Sequence, residues 1–539
     1  MSIGASRNKF IFFVVLLIEG HFSSYNMEKK WEQIYTRLMK ASLLARSDVK
    51  ELLLSHPDLN LLISKLESKN IKGILSQKII LDISDEINKE KDQINIGRTI
   101  APINPRKIAP ASRPHGLEHY DISLFDTNAN EIDNDIEILF EITGNSTTEG
   151  RKEDINSFFN NRFQRISAMI RQQGLPNRPI SISKLIQERR SRSGYNTSST
   201  VIGMVNNPKH TKERNHFMFD LEDEGAEVTC ICYNEEENPN PIIKTGLMQD
   251  DVIAVTGSFV DDRDTFRVEE FHRPPLKRHH KKTSEIGISV AFLSDIHVGS
   301  KTFLEAQWMK MVEWFHNDPL AETIKYLVLS GDVVDGVGIY PNQDKELAIK
   351  DFYRQYSKFA ELLELLPEWV ECILLPGNHD VVRPAEPQPA LDPEIQSDFN
   401  STTFVGNPCS FKLHGVDILA YHGKSIDDFV SMPEVSYAHP VEAMKEMLRR
   451  RHLAPTWGKK TPLSPEPEDN LIIGKIPDIF VTGHVHGHNC SDFKGTTLVC
   501  SSTWQDQTSY QRMLGFQPQP CILTVINLKT HASASIPFA

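Results

Sequence analysis

Residues 289–297 read SVAFLSDIH, an apolar run that breaks into an Asp-x-His triplet formed by Asp295 and His297. Later segments repeat this arrangement of an apolar run followed by a polar loop. Their blocks are GDVVD (331–335), GNHD (377–380), HG (422–423) and GHVH (483–486). The predicted strands are 289–293, 326–329, 372–375, 416–420 and 479–482, and helices are predicted at 304–315 and 351–366. Buried strands alternating with helices indicate a layered α/β domain with its site at the strand ends.

The polar residues of these blocks have the chemistry of metal ligands. Carboxylate and amide oxygens, together with imidazole nitrogens from neighbouring strand ends, suit two divalent cations held close together. A single D-x-H or H-x-H is a weak signal, but the whole series, each block after a predicted strand, predicts a binuclear metal site. Ligands of this kind accept Mn²⁺, Mg²⁺, Fe²⁺ or Zn²⁺, so the residues alone do not select the metal.

The blocks resemble the calcineurin-like metallophosphoesterase superfamily, whose pattern is D-x-H, G-D-x-x-D, G-N-H-D/E, H and G-H-x-H. The resemblance implies an αββα sandwich and hydrolysis by water that two cations activate. It assigns Asp295, His297 and His486 to one cation and Asn378, His422 and His484 to the other, with Asp332 as the bridge. It also places His379 at the substrate phosphate, oriented by Asp380. Asp335 is either a residue behind the ligands or a helix cap.

Length and composition predict several soluble domains. The chain has 539 residues, a net charge of -13 and seven cysteines without a C-x-x-C pair, which favours a reducing, cytoplasmic compartment and a local basic surface for any nucleic acid. The fold is therefore predicted as multidomain α/β. The predicted segments are an apolar extension (1–26), a helical domain (27–90), a disordered linker (91–135), a mixed connecting segment (136–198), an OB-fold barrel (199–275), a basic hinge (276–287) and the phosphoesterase domain (288–539).

The amino terminus has two interpretations. Residues 10–18 form an apolar run behind Arg7 and Lys9, as in a secretory signal peptide. The run is too short to span a bilayer and is followed by no small-x-small cleavage site. Met27 opens an amphipathic segment, and we interpret it as the true start; no membrane association is expected.

Several features of the sequence have two alternative interpretations each. The leucine face between Val49 and Leu66 is either core or a docking face, and the barrel either contacts nucleic acid or is structural. The run Arg449–His452 contacts DNA phosphates or is a solvated helix end. Trp504 stacks on an unpaired base or closes the core, and the core is favoured. The basic hinge is read as a solvated linker.

Further segments resemble the small-subunit family of the archaeal family-D DNA polymerases from about residue 195 to the carboxyl end. They are YPNQD (340–344), AEPQPA (385–390), RRRHLAPT (449–456) and SSTWQ (501–505). The resemblance implies a Mn²⁺- or Mg²⁺-dependent 3′-to-5′ proofreading exonuclease in DNA replication, which releases nucleoside 5′-phosphates. Its partners would be the large catalytic polymerase subunit and DNA with single-stranded or mismatched 3′ ends. A sliding clamp is considered as one further partner.

Two alternatives stay in view. The first is a catalytically idle scaffold subunit of the polymerase, from which divalent-metal binding would distinguish the enzyme. The second is a free-standing phosphodiesterase acting on small or lipid-linked substrates, which the mass of the mature amino terminus would test. No G-x-x-x-x-G-K-[S/T] loop and no G-x-S-x-G elbow occurs in the chain, so nucleotide triphosphate binding of that type and serine hydrolase chemistry have no support.

Overall fold

The computed structural model describes residues 43–45, 65–66, 73–75, 83, 128–191, 197–235, 240, 242–243, 246–260, 264–513 and 517–539. The chain divides into two compact units, Met1–Ala111 and Ser112–Ala539. In the first unit, β1 (Leu43–Ala45) pairs in parallel with β2 (Gly73–Leu75). The predicted helical domain did not include this pair, because three-residue strands carry no periodicity signal. The apolar extension and the Met27 start lie outside the described residues.

In the described part of the second unit, two six-stranded sheets lie beside a closed barrel. The first sheet contains, in spatial order, β12 (Thr402–Phe404), β11 (Glu371–Leu375), β10 (Ile324–Ser330), β9 (Ser289–Leu293), β18 (Ile522–Asn527) and β19 (Ser533–Pro537). The second contains β16 (His488–Phe493), β17 (Thr496–Ser501), β15 (Ile479–Thr482), β14 (Val416–Ala420), β13 (Cys409–Leu413) and β3 (Ile136–Phe140). The strands β9, β10, β14 and β15 are buried on both faces, as their unbroken apolar runs predict.

A closed barrel lies within residues 199–275, the segment for which a barrel is predicted. Its strands close in the order β4 (Ser199–His210), β5 (Phe217–Glu222), β6 (Glu227–Cys232), β8 (Thr265–His272) and β7 (Val252–Phe259). The strands β6 and β8 pair in parallel, and the other described pairs of the barrel are antiparallel.

Helices pack on the outer faces of the sheets and on the barrel. The described α-helices are α1 (Lys152–Arg171), α2 (Ile182–Ser191), α3 (Glu305–Asn317), α4 (Phe352–Leu363), α5 (Pro393–Gln396), α6 (Ile426–Phe429), α7 (Pro440–Arg450) and α8 (Ser509–Met513); short 3₁₀ turns are Ala129–Glu131, Ala321–Thr323 and Gln343–Lys345. The helix α4 begins after Asp351, whose side chain accepts a hydrogen bond from the Arg354 backbone at 3.0 Å. Among the described residues, no helix is long and apolar enough to cross a membrane.

The core of the α/β domain consists of three apolar clusters, one between the two sheets and one on the outer face of each sheet. Apolar side chains from both sheets, such as Phe292 and Ile418, meet between them. The helices α3 and α4 pack on the outer face of the first sheet, and α7 packs on the outer face of the second sheet. The order of layers is therefore helix, sheet, sheet, helix. Trp504 is fully buried in the cluster under α3 and α4, so it belongs to the core and not to a base-stacking surface.

The structure differs from the predicted boundaries at two places. Residues 128–135 belong to the predicted linker, yet Ala129 is fully buried and the Asp135 backbone donates to the Tyr326 hydroxyl at 2.7 Å. The strand β3, from the predicted connecting segment, pairs with β13 and extends the second sheet. Both segments are part of the α/β domain because they hydrogen-bond to its strands.

The basic hinge is exposed at Lys277, Arg278, His280 and Lys282, but three of its side chains pair with acidic residues of the α/β domain. His279 Nε2 lies 2.6 Å from Asp478 Oδ1, Lys281 Nζ lies 2.8 Å from Asp492 Oδ2, and Lys282 Nζ lies 3.1 Å from Asp417 Oδ2. The acidic partners lie on or beside the strands of the second sheet. Charge pairing therefore holds the segment against the domain that follows it.

Candidate metal centre

The predicted ligands lie in loops that begin where the strands end. Residues Asp295, His297, Asp332, His484 and His486 all have positive φ, between 51° and 68°. Non-glycine residues rarely adopt this left-handed conformation, and it concentrates at functional sites. The loops follow β9, β10 and β15, so strands of both sheets bring these side chains to one edge of the sandwich.

The first group consists of Asp295, His297 and His486, all buried. His297 Nε2 lies 3.2 Å from His486 Nε2. Asp295 Oδ1 lies 3.4 Å from His486 Nε2 and 3.9 Å from His297 Nε2, and it is buried without a well-formed hydrogen bond to any of the described residues. A buried carboxylate oxygen left in this way beside two imidazole nitrogens is what a divalent cation would satisfy.

The second group consists of Asp332, His422 and His484, with Asn378 beside them. His422 Nε2 lies 3.3 Å from Asp332 Oδ2 and 3.1 Å from Asn378 Oδ1. The same Oδ2 atom of Asp332 lies 4.0 Å from His297 Nε2 in the first group. Asp332 therefore stands between the two groups, where a bridging ligand must be.

Hydrogen bonds at Nδ1 set the direction of two imidazoles. His297 Nδ1 lies 3.0 Å from Asp335 Oδ1, and His422 Nδ1 lies 2.9 Å from the Ser330 carbonyl oxygen. Because both partners are acceptors, each Nδ1 carries a proton, and Nε2 is the ring nitrogen that faces the centre. Asp335 itself accepts from Gln343 at 2.9 Å and from Gln505 at 3.1 Å. Asp335 thus lies behind the ligands, and it is not a helix cap.

Asp427 was missed by the sequence analysis. Its Oδ2 lies 3.2 Å from His484 Nε2, which leaves the other ring nitrogen of His484 for the centre. The carboxylate lies in α6, five positions after His422. Its signal in the sequence was the acidic pair Asp427 and Asp428 shortly after the HG block, which is indistinguishable from an ordinary acidic helix start.

His379 borders both groups. Its ring packs edge-on against His297 with centroids 4.7 Å apart. Its backbone N–H donates to Asp332 Oδ1 at 2.7 Å, and its Nδ1 donates to the Asp335 carbonyl oxygen at 2.9 Å. The His379 side chain is only partly buried, and Nε2 is the ring nitrogen that the Asp335 carbonyl does not engage.

The expected role of Asp380 needs correction. Asp380 Oδ2 accepts from the backbone N–H groups of Asp332 at 2.7 Å and Gly377 at 2.8 Å, and Oδ1 accepts from the Tyr356 hydroxyl at 3.0 Å. The imidazole of His379 is held by the Asp335 carbonyl instead. Asp380 therefore ties the loop of Asp332 to the loop of Asn378, and in this way it positions ligands.

Burial and mutual charge perturb the site strongly. Burial works to raise the pKa of Asp332, but His422, His379 and His297 outweigh it and hold that pKa well below its ordinary value. Burial disfavours a charged His422, yet Asp332 beside it raises the pKa of His422 to about 10. Burial, with Asp332 adding to it, raises the pKa of Asp380 to about 6. A cation entering at His422 therefore replaces a proton that the carboxylate favours.

Two glycines leave room for these contacts. A Cβ on Gly377 would lie 2.2 Å from Asp332 Oδ1, and a Cβ on Gly331 would lie 2.6 Å from His422 Nδ1. Gly331 also has a φ of +89°. The glycines of the GD and GN blocks are therefore needed for the ligands to approach so closely.

The basic run Arg449–His452 is solvated only in part, since Arg449 and Arg451 are half-buried and the other two residues are buried. Arg450 and His452 are 4% and 1% exposed. Arg450 Nε lies 3.0 Å from Asp251 Oδ1 of the barrel, and His452 Nε2 lies 2.8 Å from Asp469 Oδ2. Arg450 therefore joins the barrel to the α/β domain through a buried ion pair, and His452 is held within the α/β domain by Asp469.

Comparison with known proteins finds relatives among DNA polymerase subunits. The family of DNA polymerase alpha/epsilon B-subunits matches residues 290–491. The chain is 36% identical to the DNA polymerase II small subunit of Archaeoglobus fulgidus, over 78% of this chain and 83% of that protein. It is 37% identical to the protein of the same name from Methanocaldococcus jannaschii, over 74% and 68%. Among solved structures, a novel archaeal phosphodiesterase is similar with a TM-score of 0.25 and 10% identity, over 46% of this chain and 99% of that one.

Proposed function

Since the chain belongs to the family of archaeal DNA polymerase II (family-D) small subunits, we propose that it is a metal-dependent 3′-to-5′ exonuclease that proofreads DNA for the polymerase. The reaction is hydrolysis of the terminal phosphodiester, with release of nucleoside 5′-phosphates. The observation that carries this proposal is the complete donor set, in which Asp332 belongs to the group of His422 and His484 and also approaches His297 of the other group. An idle scaffold has no need of such a set.

Two divalent cations, Mn²⁺ or Mg²⁺, fit the donor set. Asp295, His297 and His486 would hold one, Asn378, His422 and His484 the other, and Asp332 both. When bound, the pair neutralises charge on the phosphate and activates water for attack. Support comes from the orphaned Asp295 Oδ1 and from the Nδ1 hydrogen bonds that turn His297 and His422 toward the centre.

His379 is the catalytic residue in this proposal. Its Nδ1 proton is committed to the Asp335 carbonyl, which leaves Nε2 to meet the phosphate or the leaving 3′ oxygen. Burial lowers the pKa of His379, which makes its imidazolium a stronger acid toward a leaving oxygen. Asp380 acts indirectly, because its carboxylate fixes the backbone of Asp332 and Gly377.

We extend the proposal to the fold and to the partners of the chain. The helix, sheet, sheet, helix layers are those of the calcineurin-like metallophosphoesterases, and the barrel is an OB-fold. The partners are the large catalytic subunit of the polymerase and DNA with single-stranded or mismatched 3′ ends, and the protein works in the cytoplasm during replication.

A paired assay tests the proposal against the idle scaffold. The full chain, alone and with its large subunit, is loaded with Mn²⁺ and its metal content is measured. It is then incubated with a 5′-labelled single strand, without deoxynucleotides and with or without EDTA. A ladder that shortens from the 3′ end only with metal supports the exonuclease. Bound metal with an intact strand in both preparations refutes it and favours the scaffold.

A further inference from the structure

Three exposed aliphatic side chains lie within four residues of His379 or of Asp335, whose carbonyl oxygen accepts from His379 Nδ1 at 2.9 Å. Val337 is 45% exposed, Ile339 41% and Val381 38%. Among the described residues, the exposed large apolar side chains are these three together with Ile138, Leu139, Phe140, Met309 and Tyr353. Of the five in this list that lie outside the edge strand β3, three are Val337, Ile339 and Val381, and the other two lie on α3 and α4. Exposed apolar side chains gathered next to a site mark a binding surface more often than chance exposure does.

Val337 and Ile339 lie in the loop that follows Asp335. A Cβ on Gly336 would lie 2.4 Å from the His379 carbonyl oxygen and 3.0 Å from Ile339 Cγ1. The ring centroid of Tyr340, at the end of this loop, lies 6.2 Å from that of His379. Val381 follows His379 by two residues. We call Val337, Ile339 and Val381 the apolar rim.

Buried amides hold the rim loop in place. Gln355, which is fully buried, accepts from the Gly336 N–H at 2.9 Å and donates to the Gly336 carbonyl at 3.1 Å. Gln343, 1% exposed, accepts from the Ile339 N–H at 2.9 Å and donates to the Asp335 carbonyl at 2.7 Å. Because the backbone is fixed from beneath, the aliphatic side chains are presented toward solvent from a rigid support.

On the basis of the proposed function, we propose that the apolar rim contacts the unpaired nucleobases of the last two nucleotides at the 3′ end. An aliphatic surface matches the apolar face that every base shares, and it reads no hydrogen-bonding edge. In a paired end this face is covered by the neighbouring base pair. The rim therefore selects frayed ends over paired ends without selecting sequence, which is the discrimination that proofreading needs.

The test combines a protein change with a substrate change. The variant carries Val337→Thr, Ile339→Thr and Val381→Thr, and the matched control carries Ile138→Thr and Leu139→Thr on β3. Each full chain, in complex with its large subunit and Mn²⁺, degrades a 5′-labelled single strand whose last two nucleotides are either normal or abasic. Deoxynucleotides are left out, and kcat/KM for the first two cleavages is measured.

The rim variant should lose about fivefold or more in kcat/KM on the normal strand, while the β3 control matches the wild type. The wild type should lose a similar factor on the abasic strand, and the rim variant should lose nothing further there. Equal rates for variant and wild type on the normal strand would overturn the rim, as would a variant loss that is as large on the abasic strand. If the wild type releases nothing from either strand, the proposed function fails together with the rim.

A variant with a single substitution controls for a folding defect in the triple rim variant. Val337→Thr alters only the most exposed rim residue and should show the same pattern with a smaller loss. Its Mn²⁺ affinity should equal that of the wild type. A loss of Mn²⁺ affinity in this variant would show that the loop supports the ligands, and it would contradict a role in binding bases.

Discussion

His484 Nε2 lies 3.2 Å from Oδ2 of Asp427, a residue that is not itself among the predicted ligands. The Asp427 carboxylate is fixed by Lys424 Nζ at 2.6 Å and by the Tyr437 hydroxyl at 2.8 Å. A carboxylate behind a metal-binding imidazole sets the ring orientation and its basicity. Asp427 is therefore a positioning residue for the second ligand group.

Asp427→Asn should weaken Mn²⁺ binding by about 10- to 100-fold, because the imidazole loses its anionic partner while the shape of the side chain is kept. Isothermal titration of Mn²⁺ into the metal-free chain measures this. Glu434→Gln, an exposed carboxylate after α6, is the control and should bind as the wild type does. An unchanged affinity in Asp427→Asn would mean that His484 is oriented without it.

Gly377→Ala should disable the centre although it adds only one methyl group. The new Cβ would overlap Asp332 Oδ1, so either the carboxylate or the loop must move. The expected result is loss of both cations at concentrations that saturate the wild type, measured as metal content after gel filtration. Gly415→Ala is the control for a glycine change, since a Cβ there meets no atom within 4 Å, although its φ of +83° adds strain of its own. Full metal content in Gly377→Ala would argue against Asp332 as the bridge.

His379→Ala should separate binding from chemistry. His379 is not among the proposed ligands, so the variant should keep its cations. Hydrolysis should fall by about 10²- to 10⁴-fold, which is the usual contribution of a general acid or base. The measurement is kcat on a single strand with metal content determined in the same sample. A variant that loses its metal instead would make His379 a ligand.

A buried ion cluster predicts how stability depends on pH. Asp469 Oδ2 lies 2.6 Å from Arg162 Nε and 2.8 Å from His452 Nε2, and all three side chains are buried. Burial works to raise the pKa of Asp469, but His452 and Arg162 outweigh it and hold that pKa far below its ordinary value. A carboxyl group whose pKa is lower in the folded than in the unfolded state stabilises the fold at pH values above its unfolded-state pKa of about 3.9. This stabilisation is lost as the pH falls below that value.

Asp469→Asn should therefore destabilise the second unit by about 3–5 kcal/mol near neutral pH, since Arg162 is left buried without its anionic partner. The difference from wild type should shrink below about pH 4. Urea unfolding at several pH values measures it, with Glu468→Gln, exposed next in the chain, as the control. A difference that is independent of pH would contradict the ionised state of Asp469.

Much of the fold and the donor set could be predicted because both depend on local signals. Unbroken apolar runs marked β9, β10, β11, β14 and β15, and the residue types at their ends marked the candidate ligands. The strand β3 was missed because it pairs with β13, which lies far along the chain. The role of Asp380 was misjudged because motif order does not reveal that its carboxylate turns toward backbone N–H groups.

Tertiary contacts account for the other differences. Arg450 and His452 belong to a basic run in the sequence, yet Arg450 is buried against Asp251, 199 residues away, and His452 is buried against Asp469. Gln505 supports Asp335 although it lies 170 residues away. Hydrogen bonds of this kind leave no periodicity in the sequence, so only the folded chain reveals them.

The most direct measurement of the central proposal is release of labelled mononucleotide from a primer with a 3′-labelled mismatch. Wild type, His379→Ala and Asp332→Ala are compared, alone and with the large subunit, in Mn²⁺ and in EDTA. We expect 5′-mononucleotides from the wild type with Mn²⁺ only, a loss in both variants, and retained metal in His379→Ala alone. If metal-loaded wild type releases no nucleotide in either preparation, the exonuclease proposal is wrong.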